Sequence, residues 1–244
     1  MKKLFMVLTV VGLIVFSAQY AVAQESAASG QAAIERPIHQ QLKTYFVEGG
    51  AGFMGIIMVT LVLGLAVAIE RILYLNLSTI NSEKLLKKVE DALANGGVEA
   101  AKDVCRNTRG PVASVLYQGL CRMHEGVDVV EKTISSYGAV QMGLLEKGLP
   151  WVQLFIAIAP MIGFLGTVIG MIITFDDIQI AGDISPNVVA GGIKFALITT
   201  VAGLVVAITL QLFYNYILTK IDNLVVDMEN SCISFIDIMV KLSK

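Results

Sequence analysis

Long stretches of this chain carry no charge, and that constrains it more than any other feature. Residues 51–69 (AGFMGIIMVTLVLGLAVAI) form an uncharged apolar run of 19. Another 28 residues without charge lie between Lys147 and Asp176, and 25 more between Lys194 and Lys220. At 1.5 Å per residue, 19 helical residues span about 28 Å, close to the hydrocarbon core of a bilayer. The two longer runs exceed what one bilayer needs, so their helices are expected to continue beyond the lipid. Charged residues make up only 16% of the 244 and apolar ones 55%, where a soluble domain has about 25% charged. The fold class expected is therefore an all-α membrane protein, with three transmembrane helices and long cytoplasmic helical extensions.

Charge sets the expected orientation. The segment between the first and second runs holds Arg71, Lys84, Lys87, Lys88, Lys102, Arg106, Arg109, Arg122, Lys132 and Lys147. The short connection after the second run has no basic residue and carries Asp176, Asp177 and Asp183. Positively charged loops stay inside, so the long loop and the C-terminal tail are expected in the cytoplasm. The N-terminus adds Lys2-Lys3, the apolar run Leu4 to Phe16, and Ala21-Val22-Ala23 before Gln24. That is the order of a cleavable signal peptide. The expected organisation is a signal peptide at 1–23, a periplasmic segment at 24–50, and a first span at 51–69. A cytoplasmic helical domain at 70–148, a second span at 149–175 and a periplasmic loop at 176–187 follow. A third span at 188–213 and a cytoplasmic tail at 214–244 complete it.

The cytoplasmic domain reads as helices. Asn81-Ser82-Glu83 has the pattern of a helix cap with an acidic first turn, and Leu85, Leu86, Val89 and Leu93 follow at helical spacing. Gly96-Gly97 is expected to end that helix. Val98 to Arg106 and Val112 to Met123 read as two short helices, and a long one from about Val127 is expected to run straight into the second span. His39 and His124 are isolated and read as ordinary surface histidines. Cys105, Cys121 and Cys232 lack metal-ligand spacing and read as buried small residues in a reducing compartment. No nucleophile–base set or metal set is visible, so no enzyme and no cofactor is expected. With 18 basic and 20 acidic residues the net charge is −2, and no basic surface points to nucleic acid.

The second and third runs each carry a stripe of small residues. At 100° per residue, Ala159, Gly163, Gly166, Thr167, Gly170 and Thr174 share one sector, as do Gly192, Ala196, Thr199, Gly203 and Ala207, with Thr200 at the edge. Such stripes allow close approach of membrane helices, and threonine hydroxyls bond across them. They fit tight packing, and equally a narrow polar path lined by hydroxyls. No acidic residue lies inside an expected span, whereas a proton relay needs a titratable group there; an ion carrier of this kind would take its carboxylate from a partner. Lys194 either snorkels to the outer headgroups or pairs with Asp176, Asp177 or Asp183.

Ala159-Pro160-Met161-Ile162-Gly163-Phe164-Leu165-Gly166-Thr167-Val168-Ile169-Gly170-Met171 resembles the second-helix motif of the MotA/TolQ/ExbB proton channel family. Ala196-Leu197-Ile198-Thr199-Thr200-Val201-Ala202-Gly203-Leu204 resembles its third-helix motif, Tyr214-Asn215-Tyr216 its ending, and Glu146-Lys147-Gly148-Leu149-Pro150-Trp151 the approach to the second helix. Three spans rather than four, with an exported extension, place the resemblance nearest the ExbB branch. The resemblance implies a subunit of an inner-membrane proton-channel motor that energises TonB-dependent outer-membrane transport. A TolQ-like motor for envelope constriction and a non-conducting scaffold are the alternatives. It implies a homo-oligomer, a pentamer in this family, around an ExbD-like single-span subunit with an intramembrane Asp, acting on a TonB-like protein. The ion path would be lined by Thr167, Thr199 and Thr200, with Pro160, Gly163, Gly166, Gly170, Gly192 and Gly203 packing the helices. Two positions depart from the family pattern: Ile158 stands where a threonine is common and Phe195 where a glutamate is common.

Overall fold

The computed structural model describes residues 38–182 and 186–242, so the signal-peptide reading and Asp183 lie outside the described residues. Every regular element among them is helical. The elements are α1 (Ile38–Glu48), α2 (Ala51–Ser78), α3 (Ser82–Arg106), α4 (Pro111–Cys121), a short 3₁₀ turn (Met123–Glu125), α5 (Val127–Glu146), α6 (Leu149–Ala181) and α7 (Pro186–Leu242). Among the described residues three helices are long and apolar enough to cross a membrane, one for each uncharged run. The chain divides into two compact units, residues 59–160 with 205–242, and residues 38–58 with 161–204.

The first unit holds side-chain cores. Asn81 caps α3 by accepting a 3.0 Å hydrogen bond from the Lys84 amide, as its sequence indicates. Gly97, at φ 73° and ψ −168°, kinks α3 into two pieces. Pro111 then starts α4 from its first turn, where its missing N–H costs nothing. Leu116, Leu120, Val130 and Phe235 are fully enclosed in one core with Val89 and Val112. A second core gathers Leu75, Leu145, Val152, Ile217 and Ile221.

The helix ends add to the sequence reading at four places. The first apolar helix does not stop at Ile69 but continues to Ser78. Glu70 and Arg71 pair with each other at 3.0 Å, and the Arg71 guanidinium lies 5.3 Å from the centre of the Tyr74 ring, so the charges are accommodated without unwinding. The helix from Val127 does not run straight into the second span: α5 ends at Glu146 and α6 restarts at Leu149. Between them Gly148 takes φ +95°, and a Cβ there would lie 2.8 Å from Arg71 Nε. The left-handed backbone and the arginine stem together reserve this position for glycine.

The connection after the second span is shorter than 176–187. Asp176 and Asp177 extend α6, which closes at Gly182, φ +68°, whose amide donates to the Ile178 carbonyl at 3.1 Å. No helix breaker precedes that glycine, which fits the C-terminal glycine stop. Finally, α7 takes in the residues after 213 and runs unbroken to Leu242, as expected of a helix that continues beyond the lipid.

The candidate ion-path seam

In the second unit α6 and α7 run antiparallel and meet along their small-residue stripes. A Cβ on Gly163 would sit 2.9 Å from the Thr199 carbonyl oxygen, 3.1 Å from Thr200 Cα and 3.4 Å from Gly203 Cα. One on Gly166 would meet the Thr199 side chain at 2.6 Å, and one on Gly170 the Phe195 ring at 2.7 Å and Ala196 Cβ at 3.4 Å. One on Gly192 would collide with the Thr174 hydroxyl. The partners step backward along α7 as they step forward along α6. Gly163, Gly166, Gly170, Thr174, Ala196, Thr199 and Gly203 are all buried. Each glycine removes the atoms that would hold the two backbones apart. Pro160 lies inside α6 and is half-buried.

The hydroxyls sit on this seam, each with a carbonyl to donate to. Thr199 is fully buried; its Oγ1 lies 2.8 Å from the Ala196 carbonyl and 3.4 Å from that of Gly163 across the seam. Thr200 Oγ1 lies 3.3 Å from the Gly163 carbonyl and 3.4 Å from that of Ala196. The Gly163 carbonyl thus faces two hydroxyls of the neighbouring helix. Thr174 donates to Gly170 at 2.7 Å and Thr167 to Phe164 at 2.6 Å. These bonds satisfy the donors and leave oxygen lone pairs free to accept. Thr167 and Thr200 are part-exposed, whereas Thr199 is enclosed.

At one end of the seam the α1–α2 corner packs against α7. Gly50 turns the chain at φ +75°, and a Cβ there would strike the Phe195 ring, while one on Gly49 would lie 2.8 Å from Ile198. Phe53 meets Phe195 edge-on, with centroids 6.3 Å apart. Lys194 pairs with Glu48 at 2.7 Å. The pair replaces Asp176 and Asp177 as partners of Lys194, while Asp183 lies outside the described residues. Glu48 was missed, since it lies 146 residues away and reads as part of an exported segment. The hint available was that both residues stand near the same end of their apolar runs. The other Glu48 oxygen is enclosed and has no hydrogen-bond partner among the described residues. No group of His, Cys, Asp or Glu there could hold a metal ion.

This antiparallel seam of glycine and threonine carries both motifs. The MotA/TolQ/ExbB proton channel family matches residues 107–230, a segment that contains both stripes. The chain belongs to that family. It is 33% identical over 161 residues to an ExbB homolog for biopolymer transport from Methanothermobacter thermautotrophicus, covering 66% of this chain and 57% of that relative's length. It is 30% identical over 157 residues to a biopolymer transport ExbB-like protein of Synechocystis, covering 63% and 74%. With the exbB1 biopolymer transport protein of Vibrio cholerae it shares 35% over 99 residues, covering 38% and 43%. The family is one of proton channels rather than of enzymes, and three apolar helices make the chain a multi-pass membrane protein.

Proposed function

We propose that the chain is the ExbB-type subunit of an inner-membrane proton-channel motor, which uses the proton motive force to energise TonB-dependent transport across an outer membrane. The observation that carries this is the seam: a close backbone contact between two membrane helices, edged by hydroxyls, in a protein whose uncharged runs hold no carboxylate. Such a wall presents acceptor oxygens but no titratable group, and so needs a partner that brings one. In this reading the partner is an ExbD-like single-span subunit with an intramembrane Asp, surrounded by several copies of this chain, five by family resemblance. Thr167 and Thr200, at the exposed edge, accept hydrogen bonds from the protonated aspartic acid or a water beside it, and Thr199 braces them from within. One charge crossing 100 mV yields about 2.3 kcal/mol, so several ions drive substantial conformational work. The relatives are named as ExbB-type biopolymer transport proteins, which favours the ExbB over the TolQ branch.

The same reading places residues 24–50 in the periplasm, residues 70–148 and the C-terminal part in the cytoplasm, and spans near 51–69, 149–175 and 188–213. The test is TonB-dependent uptake in a strain lacking the chain. The double variant Thr167→Val with Thr200→Val is nearly isosteric but loses both hydroxyls. It is expected to assemble with the partner and to lose most uptake. Normal uptake would overturn the hydroxyl path and favour a non-conducting scaffold.

A further inference from the structure

A groove of about 440 Å³ lies between α5 and the last third of α7. Its floor on α5 is made of small residues, Ser135, Gly138 and Ala139, and its walls include Met142, Met228 and Ile233. A Cβ on Gly138 would stand in ordinary contact with Met228 Cε at 3.7 Å, so the buried Met228 backs the floor. Ile233 is 60% exposed and Met142 42%. The exposed thioether of Met142 beside small residues makes an adaptable apolar channel of the kind that accepts a helix. Burial pushes the Cys232 thiol at its edge up to about 11, with Glu229 adding to the shift.

The charge around the groove is one-sided. Glu131 and Glu229 line it and no basic residue does. Between Lys220 and Lys241, α7 carries Asp222, Asp227, Glu229 and Asp237 with no lysine or arginine. All four are exposed, and none of them, nor Glu131, has an ion-pair partner among the described residues. We propose that this groove docks a basic amphipathic helical segment of another protein, which lays apolar side chains over Ser135, Gly138 and Ala139 beside the exposed Met142 and Ile233 and sets lysine or arginine against Glu131 and Glu229. The inference stands apart from the ion-motor reading, since it uses no residue of the seam.

The full chain in zwitterionic nanodiscs is titrated with a labelled 18-residue helix built from leucine and lysine, read by fluorescence anisotropy. A leucine–glutamate helix of the same pattern serves as control. Empty nanodiscs give the lipid background. The expected result is saturable binding of the lysine helix above that background, weakened at least tenfold by Glu131→Lys with Glu229→Lys. Gly138→Leu, which fills the floor, is expected to weaken it similarly without changing oligomer size. Equal binding of both helices, or unchanged binding by the charge-reversed chain, would overturn the proposal. So would a change of oligomer size in Gly138→Leu, because the occupant would then be a second copy of the chain.

Discussion

The two units of this protein pack by opposite means. In the unit of residues 59–160 with 205–242, contacts are filled by large side chains: Phe235, Leu116, Leu120 and Ile134 enclose one another, and Gly119 is surrounded by Ile134 and Phe235. In the seam unit, α6 and α7 touch through what is missing, with Gly163 against the backbone of Thr199, Thr200 and Gly203. The difference follows from the solvent each was shaped for. Water drives burial of area, so large apolar residues stabilise a core at about 25 cal/mol per Å². Lipid tails are as apolar as leucine, so helices gain only by close approach and by hydrogen bonds across the contact.

The sharpest way to break the contrast is to add atoms to the seam. Gly163→Leu places carbon against backbone that cannot give, and a loss of more than about 3 kcal/mol is expected, beyond the usual range for overpacking. Thermal unfolding in detergent should show the assembly lost. Gly55→Leu is the control, because a Cβ there meets nothing within 4 Å. The converse experiment removes atoms from the core. Phe235→Ala should cost about 3–5 kcal/mol, seen as faster amide exchange in α4 and α5, with α6 unaffected.

Smaller effects sharpen the comparison. Thr199→Val keeps the seam's volume and removes its hydroxyl, so a loss of about 1 kcal/mol is expected from measured hydrogen bonds between membrane helices. Lys194→Met removes the Glu48 pair. That pair is part-exposed, with side-chain exposures of 55% and 34%, so its loss should cost under about 1 kcal/mol and fade in high salt.

The smallest effect reports on the water-facing core. Burial pushes the Cys105 and Cys232 thiols up from 9.0 to about 11. Both stay protonated at pH 8, and maleimide labelling should rise steeply only as pH approaches 11. Their folded values exceed the unfolded ones, so the stability they contribute is complete below about pH 9 and is lost as pH rises through 11.

Much of this was legible in the sequence because membrane helices are locally encoded. Uncharged runs mark the spans, and a 100° step aligns Gly163, Gly166 and Gly170 without any structure. Asn81 acts through a side-chain bond to an amide three residues on and Gly97 through its own backbone, so both could be read in place. What escaped depended on distant neighbours. Gly148 breaks the chain between α5 and α6 where the Arg71 stem occupies the space of a side chain. Lys194 took a carboxylate from Glu48, 146 residues away. That α7 outruns the lipid was legible from the length of its uncharged run; where it ends was not, because the charges after Lys220 mark an exit from lipid, and an exit from lipid does not end a helix.

The central claim is that α6 and α7 of one chain meet along the glycine–threonine seam, and cross-linking tests it most directly. The Cβ of residue 170 would lie 3.4 Å from Ala196 Cβ, near the 3.8 Å mean of a disulfide. Gly170→Cys with Ala196→Cys is placed in a chain whose natural cysteines are replaced by serine, with Phe195→Ala to make room for the new Cβ, and oxidised in native membranes. The account predicts a disulfide within one chain, read by peptide mass. It predicts none for Gly170→Cys with Leu197→Cys, because Leu197 is 60% exposed on another face. A link that forms only between chains, or equally with position 197, would contradict it.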